Sequence, residues 1–217
     1  MTSTQQFLVL IPLAYALGSV PFGLIVGLAK GVDPRKAGSG NIGATNVGRL
    51  LGGRFFALVF TLDLLKGFFP MLAGADILHG DAHGAGDYFL WLLVGFATVM
   101  GHNYSVFLKF NGGKGVATSC GVALGLFPYF TYPALLAAAT FILAFRLSRY
   151  VSLSSIVAAI SFPLFYIGFG LHYDWGVFGK QLPLLIFAAL ISAMIVYKHR
   201  SNLSRLLAGT ENKFVKK

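Results

Sequence analysis

Long apolar runs alternate with short polar breaks along the 217 residues of this chain. A helix needs about 20 apolar residues to cross a bilayer. Seven runs approach that length: Gln5–Leu28, Arg54–Leu78, Tyr88–Leu108, Val116–Phe127, Tyr132–Leu147, Ser152–Gly170 and Leu182–Tyr197. The fourth and fifth are short. Pro128 and Pro133 between them suggest a tight turn, because proline starts a helix more readily than it continues one. The alternative is one long kinked span across both runs. The pattern predicts an all-α integral membrane protein, a seven-transmembrane-helix bundle forming a single membrane domain over residues 1–217, with no internal repeat and no soluble domain.

Composition sharpens this picture. Hydrophobic residues make up 56% of the chain and charged residues 11%, against about 25% charged in a soluble domain, and the mean hydropathy is +0.75. The net charge of +10 does not point to nucleic acid, because the basic residues fall in the breaks between apolar runs. With seven spans, Lys and Arg in alternate segments number 5, 2, 2 and 6, while the opposite loops hold only Lys180 and Lys66 lies inside a span. The positive-inside rule then predicts a periplasmic N-terminus and a cytoplasmic C-terminus. A six-span arrangement would put the basic segments on opposite sides. Phe7 to Leu28 is too long for a cleavable leader and lacks a basic region before it, so it reads as the first span. A single cysteine, Cys120, excludes an internal disulfide and a cysteine-based metal site.

Three of the breaks carry chemistry. The first runs Ala37-Gly38-Ser39-Gly40-Asn41-Ile42-Gly43-Ala44-Thr45-Asn46-Val47-Gly48-Arg49, and the second Asn111-Gly112-Gly113-Lys114-Gly115-Val116-Ala117-Thr118. The third is His199-Arg200-Ser201-Asn202-Leu203-Ser204-Arg205. Glycine-rich backbone at a membrane surface is costly unless it lines a site, and glycines let successive N–H groups converge on an anion. Lys114 stands where a helix is about to start, a natural phosphate position. The loop is not a Walker A motif, since Leu108 and Gly115 stand where that motif needs Gly and Ser/Thr. Arg49 can form a bidentate pair with phosphate, and Asn41 and Asn46 can satisfy backbone groups while offering an amide. His199, Asn202 and Arg205 recur at i, i+3, i+6, which predicts one helical stripe. In the seven-span arrangement all three clusters face the cytoplasm.

Asp63 and Lys66 lie inside the second run, where a lone charge costs about 2.5–3.5 kcal/mol on insertion scales. Their i, i+3 spacing predicts a structural ion pair on one helix. His102 precedes the second loop and reads as support for that loop or as a catalytic group. His79, His83 and His172 fall in outer loops without ligand spacing. No metal or cofactor site is expected. Polar residues stop at one face apart from Asp63 and Lys66, which disfavours the alternative of a transporter for a phosphorylated solute.

These clusters resemble the motifs of the bacterial acyl-phosphate:glycerol-3-phosphate acyltransferases, the PlsY family. The resemblance rests on Gly38 to Asn46, on Gly101-His102 with Phe107 to Thr118, and on His199 to Leu206 with Gly209-Thr210-Glu211-Asn212. Asp63-Leu64-Leu65-Lys66-Gly67 and Tyr150-Val151-Ser152-Leu153 are also familial. It implies a seven-span enzyme of the bacterial inner membrane with its active site facing the cytoplasm. The implied reaction moves a fatty acyl group from acyl phosphate to glycerol 3-phosphate, giving lysophosphatidic acid and phosphate, an early step of phospholipid synthesis. Ser39, Arg49, Lys114, Ser152, His199, Asn202 and Arg205 are implied in binding the two phosphates and positioning glycerol, with Ser39, Lys114, His199 and Asn202 as the catalytic set. Gly112, Gly113 and Gly115 are implied in the phosphate loop, Asn41 and Asn46 in shaping the first loop, and Glu211 in bracing the last cluster. A substrate phosphate, His102 or His199 could take the hydroxyl proton. A histidine followed five residues later by aspartate is absent, since Phe107, Ser204 and Gly84 stand five after His102, His199 and His79. That argues against relatives using acyl-CoA through such a pair.

Overall fold

The computed structural model describes residues 1–79 and 85–214; His83, Lys216 and Lys217 lie outside them. Regular structure among the described residues is helical. The order is α1 (Ser3–Ser19), α2 (Phe22–Ala29), α3 (Ala44–Leu51), α4 (Gly53–Ile77), α5 (Ala85–Asn103), a single 3-10 turn (Val106–Leu108), α6 (Val116–Gly125), α7 (Thr131–Ser148), α8 (Val151–His172), α9 (Leu182–Lys198) and α10 (Arg200–Leu207). By length and apolar composition five segments can cross a bilayer: Ser3–Ala29, α4, α5 with the 3-10 turn, α7 and α8. The pair α9 and α10, bent by 55°, makes a sixth if taken as one span. The 10-residue α6 rises only about 15 Å, half the hydrocarbon thickness. The helices fall into two compact units, one covering Met1–Gly125 and the other starting at Leu126.

In the first unit the expected span Gln5–Leu28 is broken. Val20 leaves the helical region at ψ 118, because the proline after it disfavours helical backbone and Pro21 has no N–H to continue the ladder. A break at membrane depth strands carbonyls, which lipid cannot satisfy. Two distant side chains reach them. The Ser105 hydroxyl donates to the Ser19 carbonyl at 2.6 Å, and the Lys66 ammonium donates to the Val20 carbonyl at 2.8 Å. Lys66 also pairs with Asp63 at 2.8 Å, both side chains at most 4% exposed, and stands over the Phe22 ring at 5.5 Å. The charges inside α4 therefore hold the broken first span. Glycines set the close helix approaches, since a Cβ on Gly18 or Gly101 would overlap backbone of the facing helix in the α1–α5 pair. Gly67 and Gly121 do the same between α4 and α6, the small-residue packing that membrane helices use.

In the second unit α8 packs against both α7 and α9. Phe130 is fully buried. It meets Phe162 and Tyr166 edge-on at 5.1 and 5.3 Å and lies nearly parallel to Phe187 at 6.0 Å, geometries that the ring quadrupoles favour. The Tyr166 hydroxyl donates to the Gln181 side chain at 2.8 Å, which ties α8 to the start of α9.

Candidate active site

The first loop, ahead of α3, is organised by Asn46. Its Oδ1 accepts the Ser39 N–H at 2.8 Å. Its Nδ2 donates to the carbonyls of Pro34, Ala37 and Asn41 at 2.9, 3.0 and 2.8 Å. The side chain is 1% exposed. Both ends of that amide are committed to holding the loop. Asn41 accepts the Gly43 N–H at 2.9 Å, a local turn that leads into α3. Ser39 is exposed and Arg49, in the last turn of α3, is half-buried. Upstream, Arg35 grips Asp33 through Nε and Nη2. The Arg35 hydrogen bond holds the Asp33 carboxyl down at about 2, so Arg35 is committed to that carboxylate.

The second loop lies on the C-terminal end of α5. The Gly112 N–H donates to the Asn103 carbonyl at 3.2 Å and the Gly113 N–H to the His102 carbonyl at 3.0 Å. These carbonyls end α5 and lack helical partners of their own, so loop and helix end satisfy each other. The approach leaves no room for side chains: a Cβ on Gly112 would overlap the His102 carbonyl, and one on Gly113 the His102 Nε2. Gly115 has φ +79, and a Cβ there would lie 2.8 Å from the Asn103 Oδ1. Glycine is required on both counts. Lys114 is half-buried between these glycines, immediately before α6 begins at Val116. Asn103 is 0% exposed and was not singled out from sequence; its position beside His102, ahead of the glycine run, is the available signal.

The second unit gathers the last cluster on one carboxylate. Glu211 Oε1 accepts from the Ser152 hydroxyl at 2.8 Å and from the Asn202 amide at 2.7 Å, and Oε2 accepts from Arg205 Nε at 2.7 Å. The Glu211 side chain is 3% exposed and that of Arg205 39%. Burial pulls the carboxyl up, but the hydrogen bonds from Asn202, Arg205 and Ser152 outweigh it and hold the group below the usual glutamate range. Ser152 sits in the first turn of α8, so the cluster pins α10 and the following segment to that helix. His199 opens α10, its carbonyl accepting the Leu203 N–H at 2.9 Å. It occupies the bend between α9 and α10, while Asn202 and Arg205 lie on α10. Its Nδ1 is 2.8 Å from the Ile195 carbonyl, which assigns the proton of the neutral ring to Nδ1 and makes Nε2 the acceptor nitrogen.

A protein-family model described as Glycerol-3-phosphate acyltransferase matches residues 8–209. The chain belongs to this family. A glycerol-3-phosphate acyltransferase of Aquifex aeolicus is 44% identical over 212 residues, covering 97% of this chain and all of the relative. One of Trichlorobacter lovleyi is 47% identical over 201 residues, covering 93% and 94%. Among solved structures, the glycerol 3-phosphate form of PlsY (YgiH), an integral membrane glycerol 3-phosphate acyltransferase, superposes with a TM-score of 0.82 at 42% identity, covering 96% of each chain. The lysophosphatidic acid form of the same enzyme gives 0.80 at the same identity, covering 96% of this chain and 95% of that one.

Proposed function

We propose that this chain transfers a fatty acyl group from acyl phosphate to glycerol 3-phosphate, giving 1-acyl-glycerol 3-phosphate and inorganic phosphate. The observation that carries the reading is the end-to-end family match, in a chain whose glycine loop is sterically closed to every side chain at Gly112 and Gly113. Every relative cited is named an acyltransferase, which supports this reading over transport of a phosphorylated solute.

An acyl phosphate is a mixed anhydride and already activated, so no acyl-enzyme is needed. A glycerol hydroxyl oxygen attacks the carbonyl carbon, the bond from that carbon to the phosphate oxygen breaks, and phosphate leaves with the electron pair. The chain has to place the hydroxyl within reach of the carbonyl and supply donors for the developing negative charge. Lys114 and the N–H groups at the start of α6 are suited to the leaving phosphate. Arg49 and Ser39 supply a guanidinium and a hydroxyl at the first loop, and Arg205 and Asn202 a second set fixed by Glu211. The hydroxyl proton has two candidate acceptors, a substrate phosphate with second pKa near 6 and the imidazole of His199. His199→Asn separates them: a loss of about a hundredfold or more in kcat, the contribution of a general base, assigns the proton to the imidazole, and a smaller loss assigns it to phosphate.

The proposed setting is the bacterial inner membrane, crossed seven times, with the N-terminus periplasmic, the C-terminus cytoplasmic and the site on the cytoplasmic face. The distribution of Lys and Arg supports it. The function is tested with purified protein in detergent, palmitoyl phosphate and labelled glycerol 3-phosphate. Labelled 1-acyl-glycerol 3-phosphate is expected, with palmitoyl-CoA inert as donor.

A further inference from the structure

His102 lies between two things that the reaction scheme above leaves unconnected. On one side its Nδ1 stands 3.7 Å from Asp63 Oδ1, with both side chains at most 5% exposed. That is beyond hydrogen-bond length, and the nearer partner of the carboxylate is Lys66 at 2.8 Å. On the other side its Nε2 occupies the place a Gly113 side chain would take. Its backbone carbonyl accepts the Gly113 N–H at 3.0 Å. The ring is thus a buried body wedged between the ion pair of α4 and the glycine loop. Lys66 in turn holds the Val20 carbonyl at the break ahead of α2.

We propose that His102 is a positioning residue for the second glycine loop: its ring is the stop on which Gly113 seats, setting the position of Lys114 and the loop N–H groups relative to the substrate phosphate. Proximity of this kind is sharply distance-dependent, since a 1 Å misplacement can cost about a hundredfold in rate. Asp63, held by Lys66, backs the ring so that it cannot recede when the loop is loaded. The proposal rests on the acyl-transfer reading of the site.

The test is a double-mutant cycle on the contact. His102→Ala, Gly113→Ala and the double variant are purified in detergent, and kcat and KM are measured for both substrates. Each single change is expected to lower kcat/KM about tenfold or more, with any rise in KM confined to the substrate whose phosphate sits in this loop. The double variant is expected to be no worse than Gly113→Ala alone, because the missing ring makes room for the added methyl. His102→Gln, which keeps most of the bulk, should stay within about threefold of wild type. Losses that multiply in the double variant overturn the proposal. So do single variants with unchanged kcat/KM and only less folded protein, or a His102→Gln as damaged as His102→Ala. If His102→Ala does not fold, the equally small His102→Ser takes its place in the cycle; if no small variant folds, the ring is a folding element and the proposal fails. Wild-type turnover separates the two failures: no turnover sinks the acyl-transfer reading, and normal turnover with multiplying losses sinks only the positioning role.

Discussion

Removing the Glu211 carboxylate should loosen the last cluster in a way that depends on what replaces it. Three donors converge on it, two from the buried Ser152 and Asn202 side chains and one from the partly exposed Arg205. In Glu211→Gln the amide oxygen can take the place of Oε1 and keep Ser152 and Asn202. The NH2 then faces the Arg205 N–H, which must turn away into water. A charge-assisted bond contributes about 1.5–3 kcal/mol, and solvent screening at Arg205 reduces this to about 1 kcal/mol. Glu211→Ala additionally leaves two buried donors without an acceptor, at about 1–3 kcal/mol each, so its cost should be about 3–7 kcal/mol. Thermal unfolding in detergent at pH 7 measures both, and kcat/KM should fall in the same order because Arg205 is no longer held. The pH dependence follows from the direction of the shift. A carboxyl held below its usual range stabilises the fold fully above about pH 4.3, its unfolded value, and loses that contribution as pH drops through the folded value. The gap between wild type and Glu211→Gln should therefore close on acidification. A Glu211→Ala protein as stable as wild type, or a gap that widens in acid, would refute the reasoning.

Lys114→Ala should lower kcat/KM by at least one to two decades, the equivalent of losing about 1.5–3 kcal/mol of charge-assisted contact, without loss of folded protein. Lys66→Ala is the contrast: it strands the Val20 carbonyl and Asp63 and should reduce expression and thermal stability more than the specific activity of the folded fraction. Asn46→Ala removes the acceptor of the Ser39 N–H and the donor to three carbonyls. It should cost about 1–3 kcal/mol, read as a lowered unfolding midpoint, with limited proteolysis opening residues 35–43 first. A phosphatase reporter fused after residue 214 should be inactive and a cytoplasmic one active; the reverse would invert the proposed topology.

The apolar runs are legible in sequence because bilayer thickness demands them, and helices α4, α5, α7, α8 and α9 follow the expected runs to within a few residues. The break at Val20–Pro21 was not anticipated. Pro12 sits inside the unbroken α1, so proline alone does not mark a break. What stabilises the break at Pro21 comes from Lys66 and Ser105, 46 and 86 residues away from the carbonyls they reach. Periodicity carries no information about such partners. The same limit applies at the end of the last apolar run, where the pattern gives no sign that the chain bends 55° between α9 and α10. The amide of Asn46 could be read locally as either donor to substrate or donor to loop. Only the positions of Pro34, Ala37 and Asn41 decide it. The glycines were the most informative residues, because a steric demand for no side chain shows directly in the residue type.

The central claim is tested most directly by single-turnover acyl transfer with purified protein, comparing palmitoyl phosphate and palmitoyl-CoA with labelled glycerol 3-phosphate, with and without EDTA. Labelled 1-acyl-glycerol 3-phosphate from the acyl phosphate alone, unchanged by the chelator, is the predicted result. Equal product from acyl-CoA, loss of activity in EDTA, or no acylated product from a folded, detergent-stable protein would contradict the account.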